Sequence, residues 1–259
     1  MPELIEVETY RQAASEALHR TVSGVDAFHD SYVRSSGGVS RLRSSLLHNE
    51  LSAVERIGKL LVLRIGGTSV GVRFGMTGRL VVDGQVSIAE LLYTTNEIKK
   101  SHIRFVVTFE EGGDLAIVDP RSFGSVELGF ETSRLGIDAL KLTPNVMATL
   151  LNGSRGTLKS ILLNQSKISG LGNLLCDEVL WRAGISPLRI GNSINEIEIL
   201  RLSEVILKTI SELAARGGSH MGDLQSQRRT GGICPIDGAP LLRQVVAGRT
   251  TWWCPAHQG

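Results

Sequence analysis

The chain opens Met1-Pro2-Glu3, and a proline in second place becomes a free secondary amine once Met1 is removed. An α-amino group titrates at a pKa of roughly 8, so an appreciable neutral fraction exists near neutral pH. Attack on carbon by such an amine leaves an iminium, cationic without needing a proton and an electron sink for the bonds beside it. Glu3, next along, is a carboxyl able to hand over a proton. The same pair would also serve simply to begin a helix, where proline is favoured early. Lys59 follows Gly58 at the head of an apolar run; a lysine at a strand edge is also commonly there for solvation alone.

A second group closes the chain: Cys234-Pro235-Ile236-Asp237 and Cys254-Pro255-Ala256-His257 share one spacing. Thiolate, carboxylate and imidazole are all accepted by zinc, although structural sites favour sulfur and nitrogen, so the aspartate weakens the case. The metal-free alternative is a hairpin in which Asp237 and His257 bond each other or the backbone. Glycines mark three further places. In Gly170-Leu171-Gly172-Asn173 they would let backbone N–H groups approach a phosphate, or merely make a tight cap. Phe74-Gly75-Met76-Thr77-Gly78 and Asp119-Pro120-Arg121-Ser122-Phe123-Gly124 place a methionine and a phenylalanine in glycine-flanked turns. Such residues usually sit in a core, but these turns favour exposure.

The elements that must hold these residues change character along the chain. Residues 7–18 read as an amphipathic helix, and 51–82 as short strands, with 59–65 buried and Gly66-Gly67 turning into 69–74. Residues 103–109 and 115–118 form another strand pair. Beyond Leu140 the pattern turns helical: 145–152, 158–163, 174–183 and a long amphipathic 194–215, with a hairpin-like tail over 234–257. At 259 residues, two modest domains are the natural reading.

Composition narrows the setting without choosing a function. Hydrophobic residues make up 42% and charged residues 21%, enough to bury a core. A net charge of +2 permits nucleic-acid contact only through local clusters. Three sparse cysteines argue against a disulfide framework. The acidic start and the lack of a long apolar run predict a cytoplasmic protein with no membrane segment.

Three motifs carry a resemblance that spans nearly the whole chain. Met1-Pro2-Glu3-Leu4-x-Glu6-Val7-Glu8-Thr9, Ser169-Gly170-Leu171-Gly172-Asn173-Leu174-Leu175-Cys176-Asp177-Glu178 and Arg249-Thr250-Thr251-Trp252-Trp253-Cys254 resemble the formamidopyrimidine-DNA glycosylase/endonuclease VIII superfamily. The resemblance implies an α+β fold: a β-sandwich with flanking helices (1–131), a linker (132–140), a helix–two-turn–helix domain (141–216), then a lesion loop and finger hairpin (217–259). It implies a bacterial, nucleoid-associated monomer acting on double-stranded DNA with damaged bases or abasic sites. Pro2 would attack the sugar C1′, expel the base and permit β- then δ-elimination of the phosphates, with Glu3 protonating the ring oxygen. Lys59 would reach the lesion's phosphate or base. Met76, Arg121 and Phe123 would fill the hole left by the everted base. His102, Lys159, Asn173 and Arg249 would contact DNA, Glu178 would anchor the helix pair, and Cys234, Asp237, Cys254 and His257 would hold one zinc ion.

Some residues depart from the pattern. Ile5 and Ile137 stand where the family has proline, and two of four finger thiolates are replaced. The segment 217–233 leaves little room for the loop that, in the purine enzymes, closes over 8-oxoguanine. Oxidised or ring-opened purines are the expected substrates. The alternatives are an endonuclease VIII-like enzyme for oxidised pyrimidines or other adducts, and a non-catalytic binder of damaged DNA.

Overall fold

The computed structural model describes residues 2–88, 91–92 and 98–259, so Met1 and its removal lie outside the described residues. Contacts divide the chain into Met1–Thr132 and Ser133–Gly259. Among the described residues, no helix is long and apolar enough to cross a membrane.

The first unit runs α1 (Leu4–Ala14), β1 (Val22–Ala27), α2 (Asp30–Val33), α3 (Val39–Leu46), β2 (Leu51–Ile57), β3 (Leu60–Ile65), β4 (Thr68–Arg73), β5 (Arg79–Val82), β6 (Gln85–Val86), β7 (Ile103–Phe109), β8 (Asp114–Val118) and β9 (Ser125–Leu128). Two antiparallel sheets result, ordered β1-β7-β8-β5-β6 and β2-β3-β4-β9. One core joins them: Val25, Phe105, Val107 and Ile117 from the first sheet meet Leu61, Leu63, Val70 and Val72 from the second. β3 is buried on both faces, with Leu61, Leu63 and Ile65 turned into the shared core. Gly66 and Gly67 take positive φ, as a two-residue turn matching the right-handed twist of β3 and β4 requires.

The second unit runs β10 (Ile137–Asp138), α4 (Pro144–Leu151), α5 (Leu158–Leu163), β11 (Ile168–Ser169), α6 (Asn173–Ala183), α7 (Glu196–Arg216), β12 (Leu242–Val246) and β13 (Arg249–Trp253). Helix ends follow capping chemistry. Thr143 accepts from Val146 N with Pro144 in the first turn, Asn195 and Glu198 form a reciprocal box, and Gly184 and Gly217 end their helices left-handed. β12 and β13 form the tail hairpin.

Several expectations shift. α1 begins at Leu4, not residue 7, because Glu3 and Glu6 cap it reciprocally. Of the expected linker, most belongs to the second unit: Ile137 and Asp138 pair in parallel with β11, and Gly136 N donates to Gln165 O at 2.9 Å. β1, α2 and α3 had no reading in the sequence. Their apolar residues are few and widely spaced, and α3 buries only Leu42 and Leu46.

Candidate active site

The site in the first unit is organised around α1. Pro2 is buried immediately before the helix, and Glu3 is its fully buried N-cap. Glu3 N donates to Glu6 Oε2 at 2.7 Å, and the Glu3 carboxylate faces the Glu6 N–H in return. The helix end thus holds Glu3 directly after Pro2 without an intervening loop. One turn on, Glu8 accepts from Arg56 Nε at 3.0 Å, and Arg56 Nη1 donates to Gly58 O at 3.0 Å. That chain of bonds ties α1 to the two-residue turn Gly58-Lys59 between β2 and β3. Lys59 is half-buried there, and Gly58 supplies the positive φ.

Tyr10, fully buried, ties α1 to a second turn. Its hydroxyl donates to Gly78 O at 3.2 Å, and its ring lies 4.5 Å from that of Phe74. Burial pushes the Tyr10 phenol far above its usual range, with the Glu6 carboxylate adding to the rise and Arg79 opposing it. Met76, half-buried, sits in the turn between Phe74 and Gly78.

Asp119 joins this turn to the Arg121–Phe123 loop, and sequence reasoning missed it. Fully buried, it accepts from Thr77 Oγ1 at 2.5 Å, Arg121 N at 3.2 Å and Gly124 N at 2.9 Å. Its own N–H donates to His102 O at 2.8 Å. His102 is half-buried at the start of β7, held there through its backbone. Gly75 completes the junction: a Cβ there would lie 2.5 Å from the Phe123 carbonyl carbon. Ser122 takes φ 53°, and the result is an exposed Phe123, 58% accessible, with the Arg121 guanidinium 4.6 Å over its ring. One residue, through its carboxylate and its backbone N–H, thereby links the Met76 turn, the Arg121–Phe123 loop and His102. An aspartate before a proline in a turn was the available signal.

In the second unit, Asn173 opens α6, and its Nδ2 donates to Thr250 O at 3.0 Å. An amide carries two N–H groups, so one remains. The Gly170 N–H, expected to face a phosphate, instead donates to Gln165 Oε1 at 3.1 Å. Arg249 is exposed at the head of β13, after the left-handed pair Ala247-Gly248.

Lys159 corrects an expectation. It is fully buried, with Nζ 2.5 Å from Asp177 Oδ1 and 2.7 Å from Thr251 Oγ1, so it is no surface phosphate contact. A lysine is buried so completely only when paired. Burial pushes the Asp177 carboxyl above its usual range, while Arg228, Lys159 and the Trp252 N–H oppose the rise. Glu178 ties α6 to the segment after α7 and not to α5: it accepts from Arg182 Nε at 2.7 Å, Asp223 N at 2.9 Å and Leu224 N at 3.0 Å.

The finger brings three of its four expected ligands together. Atoms of Cys234, Asp237 and Cys254 lie within 4.8 Å of one another, the two thiols buried and the aspartate exposed. His257 is not among them. Its Nε2 lies 2.8 Å from Trp181 O, and its backbone N–H donates to Cys254 Sγ at 3.3 Å. Burial pushes the Cys254 thiol up, and it donates to Asp237 at 3.4 Å. Two thiols and a carboxylate are a donor set zinc accepts. For His257 to join them through Nε2, its ring would have to leave the Trp181 carbonyl.

Two family models match the chain: the formamidopyrimidine-DNA glycosylase N-terminal domain over residues 1–126 and the formamidopyrimidine-DNA glycosylase H2TH domain over 135–224. The formamidopyrimidine-DNA glycosylase of Brevibacillus brevis is 31% identical over 100% of this chain and 99% of its own length. That of Gluconobacter oxydans is 32% identical over the whole of both. Among solved structures, the wild-type Lactococcus lactis Fpg with N7-benzyl-Fapy-dG DNA superposes with a TM-score of 0.83 at 27% identity, covering 99% of each chain. Lactococcus lactis Fpg with abasic-site DNA gives 0.82 at 26%, again over 99% of each. The fold and these relatives together are those of a DNA glycosylase. The chain belongs to the formamidopyrimidine-DNA glycosylase family.

Proposed function

We propose that the protein removes oxidised and ring-opened purines from double-stranded DNA in base-excision repair, and then cuts the strand at the abasic site. The observation that carries this reading is Pro2-Glu3 held at the start of α1, the helix to which the Lys59 and Met76 turns are both tied. Pro2 nitrogen attacks C1′, the base leaves, and the C1′–N bond becomes an iminium. Glu3 protonates the sugar ring oxygen as the ring opens. The iminium acidifies the C2′–H, whose loss expels the 3′-phosphate, and a further elimination expels the 5′-phosphate. Lys59 contacts the lesion or its phosphate, Met76, Arg121 and Phe123 fill the vacated stack, and the remaining Asn173 N–H and Arg249 grip flanking phosphates. The setting is the bacterial cytoplasm.

Ring-opened purines rank first because residues 217–233 have little freedom to form a cover. Asp223 and Leu224 are bonded to Glu178, Arg182 and Arg216 both reach Asp223, and Gln227 receives the Ile233 N–H. The alignment with the Brevibacillus relative runs over 283 positions against this chain's 259 residues, so that relative carries segments absent here. A structural zinc ion would be held by Cys234, Asp237 and Cys254, cross-linking the finger and taking no part in the reaction.

Borohydride trapping tests the mechanism on duplexes carrying an abasic site, 8-oxoguanine, a ring-opened guanine or an oxidised pyrimidine. The expected result is a covalent adduct that disappears when the N-terminal amine is blocked, strongest with the ring-opened purine. No adduct on any duplex, with Met1 shown by intact mass to be absent, removes the lyase chemistry. An adduct strongest with the pyrimidine moves the substrate to the endonuclease VIII-like class.

A further inference from the structure

Each of the three residues after Arg249 is held by a side chain from α5 or α6. Asn173 Nδ2 donates to Thr250 O at 3.0 Å, Lys159 Nζ to Thr251 Oγ1 at 2.7 Å, and Trp252 N to Asp177 Oδ2 at 3.4 Å. The Thr251 hydroxyl in turn donates to Arg249 O at 3.2 Å. On a strand, residues two apart share a face, so fixing Thr251 fixes the direction in which Arg249 leaves the hairpin. Asp177 is the common member: it also receives Arg228 Nη2 at 2.7 Å, and it holds Lys159 at 2.5 Å. Apolar side chains would hold a strand against a helix with no desolvation cost, whereas a buried ion triad is costly and directional. Direction is what an exposed phosphate-gripping arginine on a small hairpin requires.

We propose that Asp177 is a positioning residue for Arg249, acting through Lys159 and the Thr251 hydroxyl. The inference rests on the reading that Arg249 grips a DNA phosphate. Dissociation constants for a duplex with an abasic-site analogue, measured from 50 to 200 mM salt, test both. Arg249→Ala lowers the slope of log Kd against log salt by about 0.9, the loss of one phosphate contact. Asp177→Asn is expected to reproduce most of that change and to weaken binding about tenfold, the scale of one charge-assisted contact. In the double variant the losses do not multiply, and far-UV circular dichroism reports the folded fraction of every variant. A general loss of folded protein would instead lower that fraction and leave the slope alone.

Asp177→Asn at the wild-type slope beside a shallow Arg249→Ala overturns the positioning alone, as do losses that multiply. An unchanged slope in Arg249→Ala overturns the phosphate reading and the positioning with it. Where Asp177→Asn fails to fold, Thr251→Val carries the same test, since Lys159 keeps its partner Asp177. A wild-type slope in that variant also overturns the proposal.

Discussion

The two units fix the residues proposed to face DNA by different means. In the first, Asp119 gathers a threonine hydroxyl and two backbone N–H groups, and Gly75 lets the Met76 turn rest directly on the Phe123 backbone. The loops there rise from two sheets with a large shared core. In the second, the finger hairpin has only a small apolar cluster, built on Trp181, Leu224, Cys234, Leu241, Trp252 and Cys254. A hairpin with so little core is not stable by itself and borrows its rigidity from cross-links. Here those are the Lys159–Asp177–Arg228 triad, the thiol cluster, and Gln258, which bonds Cys254 N and Ile185 O. Backbone-centred positioning suffices where a sheet already supplies the frame. Where it does not, charge and sulfur take over.

Breaking the Asp119 junction should give the largest effect. Asp119→Ala takes the acceptor from the buried Thr77 hydroxyl and from the part-buried Arg121 and Gly124 N–H groups, at about 1–3 kcal/mol for a donor that stays dry and less for the two that water can reach. Urea denaturation should show a loss of about 3 kcal/mol or more, and base excision should fall further than cleavage of a preformed abasic site. Equal losses on both substrates would mean that the junction does not order the Met76 and Arg121–Phe123 loops. Gly75→Ala comes next. It places a side chain at φ 60° and against the Phe123 backbone, for a cost of about 2 kcal/mol by the same measurement.

Smaller still is Tyr10→Phe, which removes one hydrogen bond to the Met76 turn and should cost about 1 kcal/mol. It keeps the contact with the Phe74 ring, so a far larger loss would show that the hydroxyl does more than hold Gly78. The finest probe addresses the finger. His257→Ala should leave bound zinc at the wild-type stoichiometry by elemental analysis, because its ring nitrogen is engaged with Trp181 O. Cys254→Ser should abolish it. Loss of zinc in the histidine variant would mean that the ring turns inward when metal binds, and that the finger closes as a four-ligand site.

Sequence alone determined the chemistry that depends on type and local order. A proline amine beside a carboxyl, the glycine-flanked turns, and two residue pairs at zinc-ligand spacing are properties of neighbours in the chain. So are the strands 103–109 and the helix 158–163, whose apolar periods are strong enough to set their own limits. Where a side chain goes once the chain folds was decided elsewhere. Lys159 looked like a DNA contact because nothing in its neighbourhood shows Asp177, eighteen residues on, or Thr251, ninety-two residues on. His257 looked like a ligand because spacing says nothing of the Trp181 carbonyl that draws its ring away. Asp119 looked like a turn residue, and only the packing of two turns, forty-two residues apart at Thr77, made it a hub. Local order sets what a residue can do, but desolvation and long-range partners set whether it is free to do it.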